Sequence, residues 1–167
     1  MKALNPTRDQ DALNDVLSHI YVKGAIYCRS DLRPPWAFSV DRRPAAGFHA
    51  ITRGKGWLKV EGESSKIAVC RGDLIVLPHG HAHVLSDAFE TAPTPLEEMV
   101  AKHPLEDGIR LRMGESGPAT ILLCGEFQFD GRSAHPLVAN LPKLIHIPGR
   151  NGEARLGIHS TLQQIEV

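Results

Sequence analysis

Hydrophobic and polar residues alternate with a period of two along much of this chain, and the alternation predicts β-strands. Residues 109–113 show it clearly, with Arg110 and Arg112 between apolar neighbours. Residues 72–87 contain two predicted strands separated by Pro78 and Gly80, which favour a turn. The fold class is therefore all-β. Further strands are predicted over residues 22–28, 36–40, 48–52, 57–60, 66–70 and 119–129.

Helical patterns are confined to short segments. Residues 7–20 combine a capping box with an apolar stripe, which predicts an N-terminal helix. Residues 96–101 form a short helix within a proline-rich insertion, and minor helical segments are expected beyond residue 134. We accordingly place an N-terminal helix at residues 1–20 and a β-domain at residues 21–150.

Composition excludes several classes of function. The 167 residues suit one domain, and 19 Lys and Arg balance 19 Asp and Glu, so charge gives no reason for this chain to bind nucleic acid directly. No apolar run is long enough to span a membrane, and the first residues lack the apolar core of a secretory signal. Three widely spaced cysteines argue against a disulfide framework and for a reducing cytoplasm.

Several sequence landmarks occur in a specific order. They are Pro35 and Trp36; Phe48-His49-Ala50-Ile51 before Gly54-x-Gly56-x-Leu58; Gly72-Asp73-x4-Leu77-Pro78-x-Gly80-x2-His83, followed by Asp87; Cys124-Gly125-x-Phe127-x-Phe129; and Leu141-Pro142. Together they resemble the N-terminal cupin domain of AraC-type bacterial transcription regulators, in the subgroup with a Cys-Gly-x-Phe segment. The resemblance covers about residues 10–150. It implies a cupin barrel, a double-stranded β-helix of the jelly-roll type.

The resemblance also implies a function. The chain would be the effector-sensing or dimerisation domain of such a regulator, and it would act in the cytoplasm. It would form a homodimer and bind an unknown small-molecule effector. Residues 151–167 would start the linker to a helix-turn-helix region that is absent from these residues, and the chain would reach DNA only through that region. A stand-alone metal-dependent cupin enzyme, of the dioxygenase or isomerase type, is the alternative, and a barrel that only mediates dimerisation is a third hypothesis. The ligand pocket is expected to involve Trp36, Phe38, His49, Trp57, His83 and Phe127.

Four residues on predicted strands form a candidate metal site. Cys28, His49, His83 and Cys124 would offer two thiolates and two imidazoles if all point into the barrel, a set that suits zinc or a similar divalent metal. Ile51 stands where a second histidine of the first cupin motif would be, so a three-histidine, one-glutamate site is not expected. In the alternative interpretation the cysteines are small buried hydrophobes, and His49 and His83 are core histidines bonded to backbone.

The remaining histidines and Cys70 are given structural interpretations. His79 and His81 belong to the predicted turn and are expected to be exposed to solvent. His135 and His146 have no partner at ligand spacing in the sequence. Cys70 is interpreted as a buried, unreactive thiol.

Overall fold

A computed structural model describes residues 21–130 and 139–149, and these residues are mostly β-strand. Helix α1 covers Leu96–Lys102. The strands are β1 (Tyr21–Leu32), β2 (Ala37–Val40), β3 (Ala46–Arg53), β4 (Lys55–Val60), β5 (Ile67–Cys70), β6 (Leu74–Leu77), β7 (His83–Ser86), β8 (Thr94–Pro95), β9 (Arg110–Met113), β10 (Thr120–Asp130) and β11 (Ile145–Ile147).

The strands form two sheets. Six strands are arranged in the order β11-β6-β3-β10-β1-β9, and five in the order β5-β4-β7-β2-β8. Neighbours are antiparallel, except that β9 runs parallel to β1 and β8 runs parallel to β2. The hydrophobic core draws side chains from both sheets, as expected for a small two-sheet barrel. The predicted all-β fold class is therefore confirmed.

The alternation in the sequence determines which face of each strand is buried. On β4, Leu58 and Val60 are 0% and 1% exposed, whereas Trp57 and Lys59 between them are partly exposed. Burying a leucine side chain fully stabilises the fold by about 2 kcal/mol. A shift of one residue in register would turn these side chains to solvent, so burial holds the register in place.

The turn between β6 and β7 is closed by a hydrogen bond from the Gly80 N–H to the Leu77 carbonyl, at 3.0 Å. Gly80 has a φ of +59°, and a Cβ at this position would lie 2.0 Å from the carbonyl oxygen of Arg43. Only glycine satisfies both conditions. The turn predicted at Pro78 and Gly80 is therefore present, and it directs His83 at the start of β7 into the interior, where it is 7% exposed.

Some elements differ from the sequence prediction. The sequence pattern beyond residue 134 gave no strand, yet β11 adds to the edge of β6, and the short β8 pairs with β2. Helix α1 confirms the helix expected over residues 96–101. The predicted N-terminal helix (1–20) and linker start (151–167) lie outside the described residues. Within the described part of the chain, no helix has the length and apolar character needed to cross a bilayer.

Candidate functional site

The register of the six-stranded sheet places three candidate residues side by side. Cys28 on β1 lies directly opposite Cys124 on β10, and Cys124 lies directly opposite His49 on β3. Directly opposite residues in antiparallel strands share one face of the sheet. His49 is 6% exposed, and both cysteines pack against the hydrophobic core.

His83 reaches this row from the other sheet. Its Nε2 lies 2.8 Å from Nε2 of His49, and Nδ1 of His49 lies 3.0 Å from Sγ of Cys124. Nδ1 of His83 lies 2.9 Å from the carbonyl oxygen of His81. One assignment of protons satisfies all three contacts: Cys124 donates to His49, His49 donates to His83, and His83 donates to the His81 carbonyl. We call these linked residues the Cys-His-His chain.

Burial keeps every member of the Cys-His-His chain neutral. It lowers the pKa of His49 well below its usual value, and the neighbouring His83 lowers it further. Burial is likewise the main cause of the lowered pKa of His83. Burial, followed by the nearby Cys28 thiol, raises the pKa of Cys124. A thiol held in its protonated form is a poor nucleophile, so the Cys-His-His chain lacks an activated cysteine.

The donor set has the right chemistry for zinc, but the side chains are not gathered around one point. Cys124 and His83 contact opposite ring nitrogens of His49, whereas Sγ of Cys28 has its contact with the Ser30 hydroxyl at 3.9 Å. Two nitrogens bound to one tetrahedral zinc lie about 3.3 Å apart, farther than the 2.8 Å hydrogen bond between the histidines. Within residues 21–130 and 139–149, no three histidine, cysteine or acidic side chains are grouped to hold a metal. His83 bonds to backbone as the alternative interpretation expected, whereas the ring of His49 bonds to two side chains. Zinc binding stays a prediction that would require side-chain rotation.

Four of the six predicted pocket residues form one aromatic cluster. The ring centroids of Trp36 and Phe38 are 6.2 Å apart, those of Phe38 and His49 are 6.4 Å apart, and those of His49 and His83 are 4.9 Å apart. Trp36 and Phe38 are only 1% and 2% exposed. These four side chains therefore fill the interior of the barrel, and an effector entering there would have to displace them.

The other two predicted pocket residues lie apart from this cluster. Trp57 is partly exposed and packs edge-on against Phe89, with centroids 5.5 Å apart. Phe127 stacks on Phe48 at 5.0 Å. The six residues remain a predicted set, of which the structure brings four together.

Arg43 closes the end of the barrel next to His83. Its guanidinium group bonds to Glu97 of α1 at 2.6 Å and to Glu126 of β10 at 3.0 Å. Arg43, Glu126, His81 and His83 line a cavity of only about 20 Å³, enough for a single water molecule. This end of the barrel is therefore closed to an organic ligand.

Two histidines differ from the sequence expectations. His81 is 8% exposed rather than solvent-accessible, because the turn packs beneath the segment that carries Arg43. His146 on β11 has a partner after all: its Nε2 donates to the carboxylate of Asp73 at 3.0 Å. Asp73 lies 73 positions away from His146, so no local pattern in the sequence pointed to the pair.

Two facing sheets with inward histidines on β3 and β7 define a small β-barrel domain of the kind that accommodates many different functions. A model of the cupin family matches residues 11–166, and the chain therefore belongs to the cupin family. The predicted cupin fold is confirmed by this match together with the two-sheet architecture.

Known proteins similar to the chain include a "Putative AraC-like transcription regulator" from Streptomyces antibioticus, with 30% identity over 138 residues. The match covers 83% of this chain and 44% of that protein, so the chain spans less than half the length of this relative. Among solved structures, a cupin protein from Bacteroides fragilis gives a TM-score of 0.42 at 16% identity, covering 78% of this chain and 85% of that one. The Escherichia coli protein YhaK gives a TM-score of 0.44 at 8% identity, covering 80% and 44%.

Proposed function

We propose that this chain is the effector-sensing and dimerisation domain of an AraC-type transcription regulator that acts in the cytoplasm. The observation that carries the proposal is the similarity to the AraC-like protein, which extends over most of this cupin domain and covers less than half of that relative. The domain would sense a small molecule, and a separate helix-turn-helix region would contact DNA.

The chemistry of the Cys-His-His chain supports a regulatory role over a catalytic one. Cys124 is held protonated, and each ring nitrogen of His49 already has a partner. General acid–base catalysis needs a group whose pKa lies near the working pH and which reaches the substrate. His49 meets neither requirement, because burial lowers its pKa and the surrounding side chains cover it.

The proposal is tested on the natural protein. An antibody raised against this chain is used to isolate the protein from its source cells, its mass is measured, and DNA crosslinked to it is sequenced. We expect a mass well above 18.3 kDa, the mass of this chain, and enrichment of a small number of promoter regions. A natural protein of 18.3 kDa that enriches no DNA would contradict the regulator and revive the enzyme hypothesis.

A further inference from the structure

Two adjoining cavities lie outside the closed barrel interior. Their volumes are about 590 Å³ and 560 Å³, within the range of small-molecule sites, and Lys55, Cys70 and Asp87 line both. We call the combined space the edge cleft. It lies beside the β4–β5 hairpin and is bordered by β11 and the residues that follow it.

Two basic side chains of the edge cleft have no ion-pair partner in the described part of the chain, although the carboxylates of Asp73 and Asp87 also line the cleft. Lys55 lines both cavities and Arg71 lines the larger one, and within residues 21–130 and 139–149 neither side chain forms an ion pair. The carboxylate of Asp87 accepts a hydrogen bond from Thr91 at 2.5 Å, and that of Asp73 is occupied by β11 and its flanking residues. Two cations without partners favour an anionic ligand group.

Most of the exposed lining of the edge cleft is apolar. Trp57 and Phe89 form an aromatic wall, with ring centroids 5.5 Å apart. Val69, Pro118 and Ala119 add aliphatic surface. Apolar walls with a few charged groups are typical of sites for small amphipathic molecules.

One wall of the edge cleft, which we call the β11 wall, is formed by β11 and the residues that follow it as far as Gly149. His146 and Pro148 line the smaller cavity and Gly149 lines the larger one. The Asp73 carboxylate holds this wall by accepting hydrogen bonds from His146 at 3.0 Å and from the Gly149 N–H at 2.8 Å. A ligand in the cleft would therefore contact the segment that leads towards the C-terminus.

We propose that the edge cleft is a binding site for a small carboxylate with an aromatic or aliphatic body, and that the bound ligand stabilises the β11 wall. The carboxylate lies against Lys55 and Arg71, and the apolar body lies against Trp57. The inference rests on the proposed sensing function, for which it names the site and the ligand class. It differs from the barrel interior expected from the sequence, where aromatic side chains occupy the space.

Isothermal titration calorimetry with 3-phenylpropanoate and octanoate tests the site, with the corresponding amides as neutral probes of the same shape. We expect both carboxylates to bind and the amides to bind at least about tenfold more weakly. The double variant Lys55→Gln with Arg71→Gln should lose about tenfold in carboxylate affinity. The matched control, Lys102→Gln with Arg112→Gln, removes the same charge from sites outside the cleft and should bind as the unmodified chain does.

A second measurement tests whether the bound ligand stabilises the β11 wall. Hydrogen exchange of the Ile145–Ile147 amides should slow when 3-phenylpropanoate binds. No binding by either carboxylate, equal binding by the amides, or equal loss in both double variants would overturn the inference. Carboxylate binding to a natural protein that associates with no DNA would leave the cleft assignment intact and overturn the regulator, so the two failures are distinguishable.

Discussion

His49 is a buried residue, and both of its ring nitrogens are hydrogen-bonded inside the barrel. Cys124 lies on one side and His83 on the other, at 3.0 and 2.8 Å. A buried polar group without a partner costs about 1–3 kcal/mol. The Cys-His-His chain is therefore tolerated in the core only as long as it is complete, and its members depend on one another.

Replacing His49 tests this dependence. His49→Leu keeps most of the volume but leaves Nε2 of His83 and the thiol of Cys124 unpaired, so we expect the free energy of unfolding in urea to fall by about 2 kcal/mol. The same change at His79, which is partly exposed and bonds to the Leu141 carbonyl, should cost less than about 1 kcal/mol. If His49→Leu were as stable as the unmodified chain, the hydrogen bonds described here would be disproved.

The zinc hypothesis makes a separate prediction for the candidate metal ligands. If Cys28, His49, His83 and Cys124 rotate onto one ion, protein purified without a histidine tag should contain about one zinc per chain, and Cys124→Ser should lose it. Elemental analysis measures the content, and unfolding with and without chelator measures the contribution to stability. A metal content well below one per chain, with stability unchanged by chelator, would contradict the zinc hypothesis. The four residues would then have only the contacts described above.

Among the structural elements, β11 is held by one buried carboxylate. Asp73 is 4% exposed and accepts hydrogen bonds from the backbone N–H groups of Cys70 and Gly149 and from His146. Burial alone would raise the pKa of Asp73, but these bonds together lower it. The attachment of β11 therefore depends on Asp73 being ionised.

The lowered pKa of Asp73 predicts how stability changes with pH. Because the pKa is lower in the folded than in the unfolded chain, the stabilisation is complete above the unfolded value of about 3.9 and disappears as pH falls through the folded value. Asp73→Asn should therefore lower the free energy of unfolding by about 2 kcal/mol at neutral pH, with a difference that narrows below about pH 4. Asp41→Asn, in an exposed loop, is the control and should show no such difference. A difference for Asp73→Asn that stays constant with pH would rule out the ionised carboxylate as the cause.

Two glycines allow β11 to approach β6. A Cβ on Gly149 would lie 2.6 Å from the carbonyl carbon of Gly72, a distance that forces the backbone to move. Gly149→Ala should therefore loosen the wall, with hydrogen exchange of the Ile145–Ile147 amides about tenfold faster. Gly47→Ala is the matched control, because no atom lies within 4 Å of a Cβ there, and it should leave these amides unchanged. Equal exchange in both variants would show that the contact between Gly72 and Gly149 is not needed.

The elements also show where sequence reasoning succeeds and where it ends. Alternation located most strands, because burial on one face leaves a local period of two. The interior positions of His49 and His83 were expected only from the resemblance to cupins. It missed β11, since Ile145–Ile147 is too short to show a pattern. The partnership of Asp73 with His146 depends on which strands pair across the chain, and that information is not local. The edge cleft was missed for the same reason, as Lys55, Arg71 and Gly149 meet only after the strands are paired.

Considered as a whole, the molecule separates a filled interior from a cleft at its edge. Aromatic side chains occupy the interior, whereas the edge cleft has open volume, unpaired cations and a wall leading towards the C-terminus. A sensor domain transmits a signal only if its ligand binds two states with different affinity. The β11 wall is the element that such a ligand would bias, because a few hydrogen bonds at Asp73 and the short pairing with β6 attach it.

Self-association is the last expectation that applies to the whole molecule. A regulatory domain of this type is expected to form a homodimer, and its zero formal net charge means that electrostatic repulsion between copies would not oppose association. The same neutrality also permits non-specific clustering near the isoelectric point of about 7.1, so a specific dimer must be distinguished from non-specific clusters.

In sedimentation equilibrium over a range of protein concentrations, the mass of a specific dimer reaches a plateau at twice 18.3 kDa, because each dimerisation surface binds one partner. Non-specific clusters keep growing with concentration and shift with pH. A mass that stays at 18.3 kDa at every concentration would contradict dimerisation and leave the chain as a sensing domain alone.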